Sequence, residues 1–238
     1  MQTQPDAVTD VRLSYIEPGA VCSLACPLCP TGSGASKLSQ GFLKASAFAD
    51  ILEALGPGWK KILLFRFGEP LLNPFLGEML REASRRRIET TISTHLSLPK
   101  FDSVTAQDIV GSGVSTIIAS IDGATQEVYE RYRVGGSLPT VLANIRKLIR
   151  AKKAGGLKKP AILWQFLAHK ENQHELHRAR VLASKLGIGF YANLRHYPRS
   201  AEPLWGGARI DEKLLEAPTI VMPNSGINAR TQVSSNIS

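Results

Sequence analysis

The segment VCSLACPLCPTG, residues 21–32, contains every cysteine of the chain. Cys22, Cys26 and Cys29 follow the spacing C-x3-C-x2-C, and thiolates this close in sequence can all bind one soft metal centre. A structural zinc site normally takes four protein ligands, so a histidine such as His95 or His169 would have to supply the fourth. An iron–sulfur cube also normally takes four cysteines. A cube held by these three would keep one iron open to a substrate or cofactor.

Outward from this segment, strand-like apolar runs alternate with amphipathic helical runs. The predicted strands are residues 11–18, 60–68, 88–95, 114–123, 159–169 and 188–194. The predicted helices are residues 44–55, 73–87, 105–113, 124–133, 138–155 and 171–187. Strict alternation implies right-handed crossovers and a parallel sheet, and six units are too few to close an eight-fold barrel. The sequence therefore predicts an α/β fold, a partial (β/α)6 barrel of TIM type with parallel strands.

The periodic pattern also predicts how the chain is divided. Residues 1–10 are expected to form an N-terminal tail and residues 11–204 the core domain. Beyond about residue 205 the sequence is polar and aperiodic, which predicts an irregular, partly disordered tail over residues 205–238.

Composition narrows the class of protein. The net charge is +9, but the basic residues cluster beside predicted helices without interleaved aromatic residues, which favours solvated helix faces over a nucleic-acid surface. No apolar run reaches the ~18 residues of a membrane span. The absence of a secretory signal and the odd cysteine count favour the cytoplasm over a disulfide-rich exported protein.

Several segments together resemble the radical S-adenosylmethionine (radical SAM) superfamily. The cysteine spacing is similar to its cluster motif, and FGEPLLNP, residues 67–74, is similar to its glycine–glutamate motif after the second strand. SIDGATQEVYERYRVGG, residues 120–136, resembles the segment after the fourth strand in the SPASM-type branch. The resemblance covers roughly residues 10–195, which is most of the chain.

The resemblance implies a cofactor set and a reaction. Cys22, Cys26 and Cys29 would ligate one 4Fe–4S cluster, whose open iron would be chelated by S-adenosylmethionine. An electron from an external donor such as flavodoxin or ferredoxin would cleave this cofactor to methionine and a 5′-deoxyadenosyl radical. The radical would abstract hydrogen from the substrate, which is either a peptide or a small molecule such as a sugar or a related metabolite.

The resemblance also implies a site after the second strand. Gly68, Glu69 and Pro70 would meet the methionine ammonium group, since a carboxylate and backbone carbonyls suit a cation and glycine permits close approach. The alternative is that these residues only form the turn that ends the strand.

Three further residues are implied after the fourth strand. Ser120 and Asp122 would hydrogen-bond the ribose or carboxylate of the cofactor, and Arg133 would pair with that carboxylate. The alternatives are an Asx turn at Asp122 and a solvated arginine at a helix end. Gln165, on the fifth strand, points either into the barrel or into the helix layer.

Two departures from the family pattern leave questions open. His95 and Leu96 stand where the family more often has asparagine and glycine, which leaves the role of that turn in doubt. SPASM-type relatives also carry a cysteine-rich C-terminal extension, whereas no cysteine follows Cys29 here. The sequence is then either a core-only enzyme or part of a longer protein. The alternative function is a non-catalytic iron–sulfur or zinc binding module that acts as a partner protein.

Overall fold

The computed structural model describes residues 12–38 and 40–194. The expected tails at 1–10 and 205–238 lie outside these residues. The strands are β1 Arg12–Tyr15, β2 Trp59–Leu63, β3 Glu89–Thr94, β4 Thr116–Ser120, β5 Ala161–Ala168 and β6 Gly189–Leu194. The α-helices are α1 Ala45–Leu55, α2 Leu76–Arg85, α3 Ser103–Gly111, α4 Gln126–Tyr132, α5 Leu138–Ala154 and α6 Leu176–Leu186. Two 3₁₀ helices span Pro70–Leu72 and Gln173–Glu175.

The six strands form one parallel sheet in the order of the sequence, β1 to β6. Within the described part of the chain β1 and β6 are the two edges and do not pair with each other, so the barrel stays open. This confirms the predicted α/β partial barrel. The carboxyl ends of all six strands share one edge of the sheet, where α/β proteins place their chemistry.

The two faces of the sheet differ in character. Along β5, Trp164 and Phe166 are fully buried in the core between sheet and helices, whereas the residues that alternate with them are only partly buried. Gln165 is one of these, so it lies on the opposite face, which we call the inner face. Of the two orientations that the sequence allowed for Gln165, the structure therefore has the one that points into the barrel.

Polar side chains cap the N-terminal ends of three of the α-helices. Asp102 caps α3 through the Thr105 N–H at 2.7 Å, and Ser137 caps α5 through the Thr140 N–H at 3.3 Å. Thr125 does the same for α4. Such caps satisfy backbone donors that the first helical turn leaves without partners. None of the described helices has the length and apolar character that a membrane span requires.

Two predicted helix starts are wrong by three residues or more. The helix expected from residue 171 begins at Leu176, after the 3₁₀ helix at Gln173–Glu175. The helix expected from residue 73 begins at Leu76 instead. Asn73 lies outside it because its side chain is already occupied: Oδ1 accepts from the Phe75 N–H at 2.8 Å, and Nδ2 donates to Pro18 O and Leu43 O at 2.7 and 2.9 Å. These bonds tie the segment after β2 to the segments that follow β1.

Candidate functional site

The three cysteines lie on one loop after β1, residues 20–36, which we call the cysteine loop. Cys26 is buried, and Cys22 and Cys29 are partly exposed. Cys26 packs with Leu24 and with Tyr132 at the end of α4 in a small apolar cluster, against which the other two cysteines lie. The thiols therefore share one apolar patch at the carboxyl edge of the sheet.

Backbone contacts with two distant segments hold the cysteine loop. The Ala25 N–H donates to Val134 O at 3.0 Å, just after α4, and the Glu69 N–H donates to Val21 O at 2.8 Å. Within the loop, a Cβ on Gly32 would lie 2.5 Å from the backbone nitrogen of Cys26, so only glycine fits there. The shape of the loop thus depends on main-chain packing rather than on the side chains between the cysteines.

The thiols influence one another electrostatically. Burial raises the pKa of Cys22 to about 11; the Leu24 N–H opposes this, whereas Glu69 and the other two thiols raise it further. An added positive centre would favour three thiolates here, since each ligand must lose its proton on metal binding. As placed, no three His, Cys, Asp or Glu side chains in residues 12–38 and 40–194 could hold a metal ion. A cube binds its cysteines on separate irons, and three soft thiol ligands on one loop fit that group.

Gly68 packs tightly against the segment that leads into the cysteine loop. A Cβ at this position would stand 1.6 Å from the carbonyl oxygen of Gly19, the residue before the loop. The backbone N–H groups of Phe67 and Gly68 donate to Glu17 Oε2 at 2.6 and 3.3 Å. Glu17 was not predicted from the sequence. It fixes the turn after β2 from the end of β1.

We expect Gly68→Ala to destabilise the protein by about 3 kcal/mol and to weaken its retention of iron. The added methyl group would meet backbone atoms of Gly19, which no side-chain rotation can move away. Thermal unfolding and iron analysis of the purified variant would measure both effects. Gly41→Ala is the matched control, because a Cβ there meets nothing within 4 Å. Equal melting temperatures for the two variants would show that the close approach of Gly68 to the Gly19 backbone does not matter for stability.

The Glu69 carboxylate is almost completely buried and accepts several hydrogen bonds. Oε1 accepts from the Leu71 N–H at 3.1 Å, which caps the 3₁₀ helix that begins at Pro70. Oε2 accepts from the His95 N–H at 2.8 Å, at the end of β3. Glu69 therefore joins the ends of β2 and β3, in addition to any contact that it makes with a ligand.

His95 connects this glutamate to the cysteine loop. Its Nε2 lies 3.2 Å from Glu69 Oε2 and 3.3 Å from Ser23 Oγ. The Ser97 N–H donates to Nδ1 at 2.9 Å, which places the ring proton on Nε2. Burial lowers the pKa of His95 and outweighs the Glu69 carboxylate, which would raise it. The neutral ring carries its single proton on Nε2, where it can donate to Ser23 Oγ, and Glu69 Oε2 lies beside the same nitrogen.

The turn after His95 keeps a backbone shape that glycine favours. Leu96 has a φ of 54° and is fully buried. A left-handed conformation costs an L residue about 1–2 kcal/mol. Burial of the leucine and two bonds from Asn144 Nδ2, to Leu96 O and Leu98 O at 2.9 Å each, offset this cost. Leu96 therefore holds, in this chain, a left-handed backbone that glycine adopts without strain.

Asp122 and Arg133 form a buried ion pair. Asp122 is fully buried, its Oδ2 accepts from Arg133 Nε at 2.8 Å, and its Oδ1 accepts from the Leu167 N–H at 2.9 Å. Burial opposes the charge on Arg133, but the Asp122 carboxylate and the nearby Cys26 thiol raise the pKa of the guanidinium above its ordinary value. Asp122 thus keeps the permanently charged guanidinium of Arg133 close to the cysteine loop. Arg133 is therefore not a solvated residue at a helix end.

Glu175, which was not predicted from the sequence, holds the segment after β4. Its Oε2 accepts from the N–H groups of Ala124 and Thr125 at 2.6 and 3.1 Å, and its Oε1 accepts from Thr125 Oγ1 at 2.7 Å. Burial alone would raise the pKa of Glu175, but these hydrogen bonds outweigh it and the pKa is lowered. The segment between Asp122 and α4 is therefore held by a carboxylate that lies about fifty residues later in the sequence.

We expect Glu175→Gln to lower the free energy of unfolding by about 2 kcal/mol at neutral pH. Because the folded pKa lies below the ordinary value of 4.5, the stabilisation is present above that value and disappears as pH falls through the folded pKa. The difference between wild type and variant should therefore shrink on acidification. Urea unfolding at several pH values would measure it, with partly exposed Glu171→Gln as the control. A difference that stays constant into acid would refute the prediction.

Known proteins resemble this chain over the same region. The model of the radical SAM superfamily matches residues 16–157. The AdoMet-dependent heme synthase of Methanosarcina barkeri is 31% identical over 144 residues, which are 59% of this chain and 40% of that protein. The tungsten-containing aldehyde ferredoxin oxidoreductase cofactor-modifying protein of Pyrococcus furiosus is 26% identical over 181 residues, 75% of this chain and 49% of that protein.

A solved structure has the same fold. Streptococcus suis SuiB, in its crystal structure bound to S-adenosylmethionine, aligns with a TM-score of 0.62 and 16% identity over 79% of this chain and 42% of that chain. The chain spans half or less of the length of each of these three proteins. The family model covers more than half of the chain, including the cysteine loop, the Gly68–Glu69–Pro70 turn and Arg133. The chain therefore belongs to the radical SAM superfamily, whose members bind a 4Fe–4S cluster and S-adenosylmethionine.

Proposed function

We propose that this chain is a radical SAM enzyme that removes a hydrogen atom from a peptide, a sugar or a related metabolite. One observation carries the proposal. The only three cysteines of the sequence lie on a loop that is bonded both to the turn at Gly68 and Glu69 and to the segment just after Arg133. Soft ligands, a carboxylate and a guanidinium are thereby brought to one edge of the sheet, although they lie far apart in sequence.

Cys22, Cys26 and Cys29 would hold the cluster. With an electron from an external donor such as flavodoxin or ferredoxin, the bound cluster and S-adenosylmethionine supply a 5′-deoxyadenosyl radical that can take hydrogen from an unactivated C–H bond. The residues of the chain have to bind this cofactor, orient it and exclude side reactions.

The charges at the site suit the two ends of the methionine part of the cofactor. Arg133, which Asp122 holds by its Nε, has the remaining guanidinium N–H groups to offer to the cofactor carboxylate. Glu69 and the backbone around Gly68 and Pro70 suit the ammonium group. The His95 ring lies against the Glu69 carboxylate, with Nε2 at 3.2 Å from Oε2. Ser120 is a hydroxyl partner for the ribose or the carboxylate.

A peptide is the substrate class that a structural neighbour favours. Streptococcus suis SuiB has also been crystallised with its precursor peptide SuiA, and that structure aligns with a TM-score of 0.61 at 17% identity over 76% of this chain. The similarity concerns the fold alone. It supports the proposal that a barrel of this type can bind a peptide.

Formation of 5′-deoxyadenosine tests the proposed function. The protein is reconstituted anaerobically, reduced with a strong reductant and supplied with S-adenosylmethionine, and the product is detected by chromatography. We expect slow formation without any added substrate, because the proposed cofactor contacts all lie within residues 22–133. Cys26→Ala is the control. Product no higher than in this control would refute the proposal and favour the non-catalytic iron–sulfur or zinc module.

A further inference from the structure

Four polar side chains form a continuous ladder across the inner face of the sheet. Ser93 Oγ on β3 lies 2.9 Å from Ser120 Oγ on β4, and Ser120 Oγ donates to Gln165 Oε1 on β5 at 3.3 Å. The next polar side chain along the sheet is Tyr191, the register partner of Gln165 on β6. Ser120, Gln165 and Tyr191 are direct register partners on neighbouring strands. The cofactor contacts proposed above use only Ser120 of this polar ladder.

The directions of these hydrogen bonds can be worked out along the ladder. Ser120 has a single proton and gives it to Gln165 Oε1, so Ser93 must be the donor in the Ser93–Ser120 bond. The Gln165 carbonyl oxygen thus accepts from Ser120 on β4, and the amide nitrogen carries two N–H groups beside Tyr191, the register partner on β6. The Tyr191 O–H is then also available as a donor. The β6 end of the polar ladder therefore offers two donors side by side.

The strand residues beside these donors are uncharged, and the charges of Asp122 and Arg133 lie beyond the strand ends, where Asp122 accepts from the Leu167 N–H. From Thr91 upward, the described inner-face residues of β3 to β6 carry no charged side chain; they are residues 91, 93, 116, 118, 120, 161, 163, 165, 167, 191 and 193. The register partners Ile118 and Leu163 form an apolar layer one step below the polar ladder. Burial raises the pKa of Tyr191 and outweighs the influence of Gln165, which lowers it, so negative charge is disfavoured at this position.

We propose that Gln165 and Tyr191 form a substrate subsite that receives an uncharged carbonyl oxygen, such as that of a peptide amide. This subsite rests on the proposed function, since it supplies the substrate end of the same barrel. A carbonyl oxygen accepts two hydrogen bonds and brings no proton of its own, so it matches two adjacent donors. A carboxylate would lose its hydration without gaining a cation of its own, because Arg133 is already paired with Asp122 and, in the proposed function, with the cofactor carboxylate. A sugar hydroxyl would place a further proton against the two donors.

Three small probes distinguish these ligands. N-acetylalanine methylamide carries two uncharged carbonyl groups, N-acetylalanine carries a carboxylate, and methyl glucoside carries only hydroxyl groups. Each is titrated into the full chain with its cluster reconstituted, and binding is followed by saturation-transfer NMR. We expect the diamide to bind better than both other probes. Tyr191→Phe, which removes only the hydroxyl group, should weaken diamide binding about fivefold to tenfold.

Tyr15→Phe is the matched control. Tyr15 lies on β1, outside the polar ladder, where its exposed ring packs against Phe65 and Arg66. Its replacement should leave diamide binding unchanged. Equal diamide binding by wild type and Tyr191→Phe, a preference for the carboxylate or the glucoside, or no binding of the diamide at all would each overturn the subsite. If wild type nevertheless forms 5′-deoxyadenosine, only the subsite fails; if it forms none, the proposed function fails as well.

Discussion

Replacement of Cys26 by alanine is expected to abolish iron binding. Anaerobically reconstituted wild type should hold about four irons per chain, as one cube requires, and the variant close to none. Two thiolates cannot retain the cube, and nothing in the sequence can replace the lost ligand because all the cysteines lie in this loop. Iron analysis and the visible absorbance of the cluster, near about 400 nm, measure the effect.

The variant should still fold. Cys26 packs in an apolar cluster with Leu24 and Tyr132, and alanine keeps that surface apolar. Circular dichroism would establish the fold. Ser33→Ala, an exposed change within the same loop, should bind as much iron as wild type. A folded Cys26→Ala protein with wild-type iron content, or a wild type with twice the expected iron, would contradict the single three-cysteine cluster.

Loss of Asp122 is expected to have the largest effect on stability. In Asp122→Ala the Arg133 side chain, which is only 14% exposed, keeps its charge without its carboxylate, and the Leu167 N–H loses its acceptor. Removal of one partner of a buried pair costs about 3–5 kcal/mol. For a domain of this size the melting temperature should fall by roughly ten degrees.

An exposed pair on α4, the helix between Asp122 and Arg133, provides the comparison. Glu127 and Arg131 pair one turn apart on α4, with side chains 78% and 45% exposed. Glu127→Ala should cost less than about 1 kcal/mol, because solvent screens such pairs. The double variant Asp122→Ala with Arg133→Met should recover part of the loss, since no charge is then left buried. If Asp122→Ala were no more harmful than Glu127→Ala, the pair would not hold the site together.

The fold follows from the sequence to a large extent because its signals are local. TIIAS in β4 and AILWQFLA in β5 are apolar runs rich in branched and aromatic residues, and amphipathic segments separate them. The superfamily and its cofactors were also predictable, since three cysteines at fixed spacing constrain chemistry more than composition does. Even the face of Gln165 had a signal: its neighbours Trp164 and Phe166 are large apolar residues of the kind that pack under helices.

The connections within the site could not be predicted, because they join groups that are distant in sequence. Glu17 and Glu175 each accept from backbone N–H groups about fifty residues away. Nothing in a local pattern reveals which buried N–H groups lack a partner in the fold. Likewise the sequence indicated Asp122 and Arg133 as separate cofactor contacts, whereas the folded chain pairs them, which makes the position of one depend on the other.

The backbone bond between Ala25 and Val134 has a consequence for the order of events during synthesis. The cysteines leave the ribosome early, but the cysteine loop can be completed only after the fourth strand and α4 have been made and have packed. Closing so long a stretch of chain is entropically costly and is repaid by contacts that form late. Nascent chains stalled before residue 134 would therefore expose three thiols without a site, and we expect cluster delivery to follow folding of the barrel rather than to nucleate it.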